Sequence, residues 1–236
     1  MKQVILSIVI CLLQASAPAQ HIQRDLPITI DRTANYLFYL HGGVVTVKGD
    51  NAINDPVPEY GPYQYSRILD TLQAHGFYVI SERRLPGVDD SVYARKIAQQ
   101  VDTLLKAKVA TSKIILVGAS AGSNIVLLVS GRLKNPEMKY VIMGGCSPDI
   151  YTYYLNVNIE GHFLSIIESS DSRGTCGKIF ENRKRVKSFR EIKLETGLNH
   201  GFIYKPYAAW LDPVLQWFQG YVPAYHARKP TPINGH

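Results

Sequence analysis

Residues 113–122 constrain the fold of this chain more than any other stretch. Positions 114–117 form a short, wholly apolar run, which is typical of a strand buried on both faces of a parallel sheet. The run leads directly into the pattern Gly-x-Ser-x-Gly at 118–122, and an apolar segment at 124–129 can continue as a buried helix. The stretch therefore predicts a strand, a tight turn at Ser120 and a helix.

The turn at Ser120 has the composition that a nucleophilic serine needs. Gly118 and Gly122 permit the strained, closely packed backbone of a tight strand-to-helix turn. This geometry raises the hydroxyl above the end of the sheet, beside a helix N-terminus where backbone N–H groups favour negative charge. We therefore interpret Ser120 as a candidate nucleophile.

The first nineteen residues have the pattern of a signal peptide. Lys2 supplies a positive charge, and residues 4–13 form an apolar stretch too short to cross a membrane. Residues 15–17 and 17–19 are both small-residue cleavage sites, and we favour cleavage after Ala19 because the other site would put Pro18 directly after the cleaved bond. We predict a signal peptide over 1–19 and export to the periplasm or the medium, with an uncleaved, buried helix as the alternative. Cys11 lacks the small residues that precede a lipid-modified cysteine, so no stable membrane anchor is expected.

The rest of the chain has the length of one domain with a single core. We predict this domain over 20–227 and a disordered tail over 228–236. The formal net charge is +7, and many of the basic residues lie in 178–193. A nucleic-acid site would interleave stacking aromatics with these charges, and only Phe180 and Phe189 are nearby. We therefore predict a solvated basic helix there and no nucleic-acid partner.

Apolar strand patterns alternate with amphipathic helix patterns along the domain. Strands are predicted at 36–40, 77–81, 114–117, 140–143, 163–167 and 191–195. Helices are predicted at 65–75, 91–108 and 207–218 besides the one after Ser120, and 44–62 is predicted as a loop. The alternation predicts an α/β fold with a doubly wound, mainly parallel sheet, helices on both faces and a site at the carboxyl ends of the strands.

Two further turns follow predicted strands and supply candidates for the same chemistry. His200 lies in a Gly-Leu-Asn-His-Gly turn after the last strand and is the candidate general base that a serine requires. Such a base needs a carboxylate to hold its tautomer. Asp171 is the leading candidate, although it also suits a helix N-cap, and Asp149 and Glu168 are its rivals.

The other turn contains His41, Gly42 and Gly43, directly after the first strand. Its glycines permit the close backbone approach that an oxyanion site requires, so Gly42 and Gly43 are candidate donors together with Ala121. His41 has two interpretations. It lines a substrate pocket, or it ties neighbouring loops together behind the site.

These motifs together resemble the α/β-hydrolase superfamily. The resemblance runs from Tyr36 to Phe218 and consists of four strands, each followed by a motif. In chain order, these motifs are His-Gly-Gly, then Gly-x-Ser-x-Gly with a helix after it, then Asp, and then His-Gly. It implies Ser120 as nucleophile, Asp171 as acid and His200 as base, with no cofactor and no metal. The order Ser, Asp, His along the chain is the order of that superfamily.

The chain departs from many members of the superfamily. Ala119 stands where a histidine is common, too little sequence precedes the first strand for two further antiparallel strands, and no lid domain fits between residues 143 and 163. The resemblance therefore implies a small, lidless, bacterial-type member similar to esterases and lipases.

The function implied by the resemblance is that of an exported, carboxylesterase-like serine hydrolase. It would cleave small soluble esters through an acyl-enzyme, with a small-molecule ester as its partner. A non-catalytic binding protein of the same fold is one alternative, and a serine peptidase or a lipase is another. The sequence leaves the oligomeric state open.

Two groups of tyrosines are expected to frame an open pocket mouth, because each follows the carboxyl end of a strand: Tyr60, Tyr63 and Tyr65, and Tyr151, Tyr153 and Tyr154. Tyr63 and Tyr153 are candidates for substrate contact, with ordinary packing as the alternative. In the strand order of the superfamily, Cys146 and Cys176 follow neighbouring strands. This order predicts a disulfide between them, with two buried free thiols as the alternative.

Overall fold

The apolar segments of the sequence form one parallel sheet. The computed structural model describes residues 24–49, 51–147, 151, 153–154 and 156–221, and within them the sheet has six strands. These are β1 (Asn35–Leu40), β2 (Phe77–Ile80), β3 (Ile114–Ala119), β4 (Lys139–Met143), β5 (Gly161–Glu168) and β6 (Val186–Leu194). Their order is β2-β1-β3-β4-β5-β6, and all neighbouring pairs are parallel. The predicted fold class is confirmed.

Helices cover both faces of the sheet. The helical segments are α1 (Gly43–Lys48), α2 (Asn51–Asn54), α3 (Tyr65–Ala74), α4 (Asp90–Lys106), α5 (Ala121–Leu133), α6 (Gly177–Phe180) and α7 (Ala208–Gln219). Side chains of each strand alternate between two cores, so that Leu116 packs with α4 and α5 while Val117 packs with α3 and α7. The sheet is therefore doubly wound.

The chain changes direction across the sheet between β1 and β3. β2 lies on one side of β1, and the later strands extend from the other side. In open parallel sheets, ligands bind outside the carboxyl ends of the strands at such a switch point. Leu40 pairs with Gly118, so the turns after β1 and β3 lie side by side there.

Two predictions of local structure are wrong. The basic segment before the predicted strand at 191–195 is not a helix but the short α6 followed by the first part of β6, a strand whose Lys187, Arg190 and Lys193 are exposed. β6 is an edge strand, where charged side chains discourage pairing with another chain. The segment 44–62 is not a plain loop, because it contains α1 and α2.

The predicted signal peptide at 1–19, the tail at 228–236 and Asp149 lie outside the described residues. The described residues all fall within the predicted domain at 20–227. Within this part of the chain, no helix is long and apolar enough to cross a membrane.

Candidate active site

Ser120 lies on a tight turn between β3 and α5. Its backbone has φ 51° and ψ −118°, a conformation that residues other than glycine rarely adopt. A Cβ atom on Gly118 would lie 2.5 Å from the carbonyl oxygen of Gly122, and one on Gly122 would overlap the carbonyl oxygen of Leu40. Close packing therefore requires both glycines. The Ser120 N–H donates to the Met143 carbonyl at 2.7 Å, which ties the turn to β4.

The structure brings Ser120, Asp171 and His200 together from the loops that follow β3, β5 and β6. His200 Nδ1 lies 2.6 Å from Asp171 Oδ2, and His200 Nε2 lies 3.0 Å from Ser120 Oγ. All three side chains are buried. A carboxylate beside Nδ1 favours the tautomer with the proton on Nδ1, so Nε2 is placed to accept the serine proton.

The surroundings of Asp171 keep its carboxyl group ionised. Burial would raise its pKa, but the hydrogen bond and charge of His200, the Arg173 N–H donating to Oδ1 at 3.1 Å and the Arg173 charge outweigh burial and lower it. The N-cap alternative does not apply, because α6 begins at Gly177 and Cys176 precedes it. An ionised Asp171 can stabilise an imidazolium at His200.

A second buried carboxylate, Glu168, joins the loops that carry Asp171 and His200. It accepts hydrogen bonds from Ser170 Oγ at 3.2 Å on one loop and from Thr196 Oγ1 at 2.6 Å on the other. Burial would raise the pKa of Glu168, but the hydrogen bonds from these loops lower it. Glu168 therefore braces the two loops, whereas Asp171 is the carboxylate that contacts His200.

Gly43 and Ala121, two of the predicted oxyanion donors, line the cavity beside Ser120. They are the first residues of α1 and α5, where N–H groups have no partner within the helix. Gly42 differs, because its N–H donates to the Tyr63 hydroxyl at 3.5 Å and it is not among the described residues that line the cavity. The structure therefore does not bring the Gly42 N–H to the site.

His41 does not line the cavity, contrary to the pocket interpretation. Its ring is fully buried, and Nε2 accepts the Arg84 backbone N–H at 2.9 Å. Because a backbone N–H can only donate, the proton of His41 is on Nδ1, which donates to the Gly42 carbonyl at 2.9 Å. Burial and the Arg84 charge lower the pKa of His41 to about 3. His41 is therefore a neutral residue that ties loops together.

The two tyrosine candidates are also placed elsewhere. Tyr63 is fully buried, and its hydroxyl lies 2.9 Å from that of Tyr39. Tyr153 is 56% exposed and does not line the cavity. Tyr60 and Tyr204 line it instead, with ring centroids 5.5 Å apart. A position directly after a strand predicts that a residue lies at the carboxyl end of the sheet, but it does not predict the direction in which the side chain of a loop residue points.

The cavity has a volume of about 550 Å³. Besides Gly43, Ser120, Ala121, Asp171 and His200, the described residues that line it are Val44, Tyr60, Asn124, Gly145, Ser147, Ser172, Arg173 and Tyr204. Sequence reasoning missed Asn124, Arg173 and Tyr204, although all three lie within four residues of a predicted site residue. Among the described residues, no group of three or more histidine, cysteine or acidic side chains is placed to bind a metal ion.

Cys146 and Cys176 form a disulfide, with Cα atoms 5.0 Å apart. The predicted pair is thus present in the structure, and both residues are fully buried. The bond joins the loop after β4, whose Gly145 lines the cavity, to the loop that carries Asp171.

Comparison with known proteins bears on the fold. No protein-family model matches the sequence, and no curated protein sequence is significantly similar to it. The carboxylesterase CesB from Bacillus subtilis superposes with a TM-score of 0.51 at 12% identity, over 80% of this chain and 85% of that chain. The chain has the α/β-hydrolase fold.

Two further structures have lower TM-scores. An esterase from Rhodococcus gives 0.49 at 13% identity, over 80% of this chain and 92% of that one. Dienelactone hydrolase from Anabaena variabilis gives 0.47 at 16% identity, over 80% and 88%. At 12% identity, the likeness to the carboxylesterase concerns the fold alone.

Proposed function

We propose that this protein is a carboxylesterase-like serine hydrolase that cleaves small soluble esters through an acyl-enzyme. The observation that carries the proposal is the continuous chain of hydrogen bonds from Asp171 through His200 to Ser120 at the edge of a cavity. A serine hydroxyl is a poor nucleophile unless an adjacent base accepts its proton. The likeness of the fold to a carboxylesterase agrees with this chemistry.

The first half-reaction forms the acyl-enzyme. Ser120 Oγ attacks the carbonyl carbon of the ester while His200 Nε2 accepts the hydroxyl proton, and the carbonyl electrons move onto oxygen. The N–H groups of Gly43 and Ala121 donate to this oxyanion. His200 then gives the proton to the alcohol oxygen as the carbon–oxygen bond of the ester breaks. Asp171 stabilises the imidazolium between these steps.

The second half-reaction repeats these roles with water. His200 Nε2 accepts a proton from a water molecule whose oxygen attacks the acyl carbon. The same N–H groups bind the second oxyanion. As it collapses, the carbon–oxygen bond to Ser120 breaks, Oγ recovers the proton from His200, and the carboxylic acid leaves.

Labelling with a fluorophosphonate tests the proposed nucleophile. We expect the protein to be labelled, and Ser120→Ala to lose both labelling and about 10⁴–10⁶ of the turnover. The matched control is Ser112→Ala, because Ser112 is exposed at the opposite end of β3. A folded protein that is not labelled would support the non-catalytic binding protein instead.

The size of the cavity supports small substrates. A volume of about 550 Å³ suits a small molecule, and the connection between β4 and β5, residues 144–160, is too short for a helical lid domain. Tyr60 and Tyr204 offer apolar ring faces with polar tips. We expect nitrophenyl esters from acetyl to butyryl to react fastest, with rates falling steeply beyond about eight acyl carbons. A preference for long chains, or a rate jump when an emulsion forms, would favour a lipase.

We further propose that the protein is exported. The N-terminal pattern at 1–19 supports export, and the disulfide suits an oxidising compartment. Mass spectrometry of the protein from a bacterial host should give a mature chain that begins at Gln20, outside the cytoplasm. An intact precursor confined to the cytoplasm would contradict this proposal.

A further inference from the structure

Arg173 is the one arginine or lysine among the described residues that line the cavity. It lies two residues after Asp171, lines the cavity and is partly buried. Its backbone N–H is used by Asp171 Oδ1, which holds the loop in place. Within the part of the chain that the structure describes, its guanidinium has neither a hydrogen bond nor an ion pair. A guanidinium offers five N–H donors in a planar fork that matches a carboxylate.

The acidic groups near Arg173 are engaged elsewhere. Asp171 is the one carboxylate among the described residues that line the cavity, and its two oxygens accept from His200 and from the Arg173 backbone. Glu59 lies outside the cavity lining and accepts from the Asn199 side chain at 2.6 Å. The guanidinium therefore has donors to spare for a ligand.

The charge of Arg173 acts on the side of the cavity where the leaving group must lie. Burial raises the pKa of Tyr60, and raises that of Tyr204 to about 12; the Glu59 charge adds to both rises and the Arg173 charge opposes them. The Tyr60 ring packs edge-on against His200, with centroids 5.8 Å apart. Because His200 must protonate the alcohol oxygen, the alcohol part of an ester lies against His200 and Tyr60, towards Arg173.

We infer that the cavity selects esters whose alcohol part carries a carboxylate, and that the Arg173 guanidinium binds this carboxylate. The inference rests on the proposed ester hydrolysis and names its substrate class. Arg173 is the specificity residue in this assignment, and the ester chemistry stays with Ser120, His200 and Asp171.

The first test compares matched esters. The ratio of kcat/KM for 4-acetoxybenzoate to that for its neutral methyl ester should fall about tenfold in Arg173→Gln, mainly because KM for the charged ester rises. The ratio for Arg173→Lys should lie between those of the unmodified protein and Arg173→Gln. Added salt should lower the ratio in the unmodified protein and not in Arg173→Gln. The control is Arg95→Gln, which removes the same charge from an exposed position on α4 and should leave the ratio within about twofold. An unchanged ratio in Arg173→Gln overturns the inference.

A second pair of substrates tests the side of the ester. The mono-nitrophenyl ester of adipate carries its carboxylate on the acyl part, and its methyl ester is the neutral partner. Arg173→Gln should change the ratio for this pair by less than about twofold, because the acyl part points away from His200 and Tyr60. A loss confined to the adipate pair would overturn the assignment to the alcohol part.

Binding to Ser120→Ala separates this inference from the proposed reaction. Calorimetry should show that 4-acetoxybenzoate binds more tightly than its methyl ester, and that Arg173→Gln in the same background removes the difference. If the unmodified protein hydrolyses neither ester but this difference is seen, the proposed function fails and the carboxylate site stands. If it hydrolyses both but no variant of Arg173 changes a ratio or an affinity, the carboxylate site fails and the proposed function stands.

Discussion

His41 and His200 are both buried, and each follows a strand at the same edge of the sheet, yet their partners differ. His41 lies between two backbone groups, the Arg84 N–H and the Gly42 carbonyl. His200 lies between Asp171 and a serine hydroxyl, beside a cavity. Two backbone partners require a neutral ring with one tautomer, whereas a carboxylate and a hydroxyl allow the ring to gain and lose a proton.

The charges around the two rings reinforce this difference. Arg84 is buried beside His41 and donates to the His41 carbonyl at 2.6 Å, and its positive charge disfavours a second one on the ring. The neighbour of His200 is instead the ionised Asp171, on a loop that Glu168 braces. Both rings are buried, so burial does not distinguish them, and they differ in the sign of the nearest charge.

The largest expected effect separates the two histidines by turnover. His200→Ala should lower kcat on nitrophenyl acetate by about 10⁴–10⁶, because it removes the proposed base. His41→Asn should cost less than about 100-fold, since His41 touches no reacting atom in the proposed mechanism. Circular dichroism of both variants controls for folding. Comparable losses in two folded variants would contradict the different roles of these residues.

The next effect concerns the carboxylate that distinguishes His200. Asp171→Asn should lower turnover by about 10³–10⁴, because an amide favours the wrong imidazole tautomer. The matched change is Asp149→Asn, at one of the two rival acids in the sequence, and it should lower turnover by less than about tenfold. If the two variants exchanged these outcomes, Asp149 would be the acid.

The third prediction concerns the disulfide, a covalent bond that holds the loop carrying Asp171, the partner of His200, whereas the His41 ring is held by hydrogen bonds. The disulfide closes a loop with a sequence separation of 30 residues. Replacing both Cys146 and Cys176 by alanine should lower the free energy of unfolding by about 3–4 kcal/mol. Urea denaturation of the double variant measures this loss. Two free thiols titrated in the denatured, unreduced protein would show that the bond is absent.

The smallest effect is the pH dependence of stability that His41 confers. Its pKa is lowered to about 3 in the folded protein, so the unfolded chain takes up a proton first as the pH falls below the ordinary value of 6.5. The stabilisation is complete above that value and is lost towards pH 3, with a slope approaching about 1.4 kcal/mol per pH unit. Between pH 6.5 and pH 5, denaturation curves of His41→Asn should lack this slope. An equal slope in both proteins would mean that His41 is protonated in the folded state.

Glu168 and Asp171 explain why the window for that measurement ends near pH 5. Both carboxyl groups have lowered pKa values in the folded protein, from ordinary values of 4.5 and 3.8. Their contribution to stability is therefore present above these values and is lost as the pH falls through the lower folded values. Above pH 5, the slope that separates the two proteins belongs to His41.

Much of the site could be predicted because its key residues are encoded locally. The glycines at 118 and 122 are required by backbone contacts within the turn and with β1, and they mark Ser120 in any sequence that forms such a turn. His200 and Asp171 follow apolar runs whose length and composition predict strands. Since carboxyl ends of parallel strands share one edge of a sheet, these residues were expected to meet there.

The surroundings of these residues could not be predicted in the same way. Nothing local distinguishes His41 from His200, because the group that neutralises His41 is Arg84, from the loop after β2. The direction of Tyr63 depends on its hydrogen bond with Tyr39 inside the core. The basic sequence before residue 194 is compatible with a helix as well as with a strand. It forms a strand at the edge of the sheet, where its charged side chains can stay exposed.

By itself, the sequence determined the α/β class and the tight turn at Ser120, because each depends on a short run of neighbours. Only the tertiary structure decided which charges face the cavity. The order β2-β1-β3-β4-β5-β6 brings together loops that are far apart along the chain. The contacts among those loops bury Arg84 behind His41, engage Asp171 with His200 and leave the guanidinium of Arg173 beside them without a partner among the described residues.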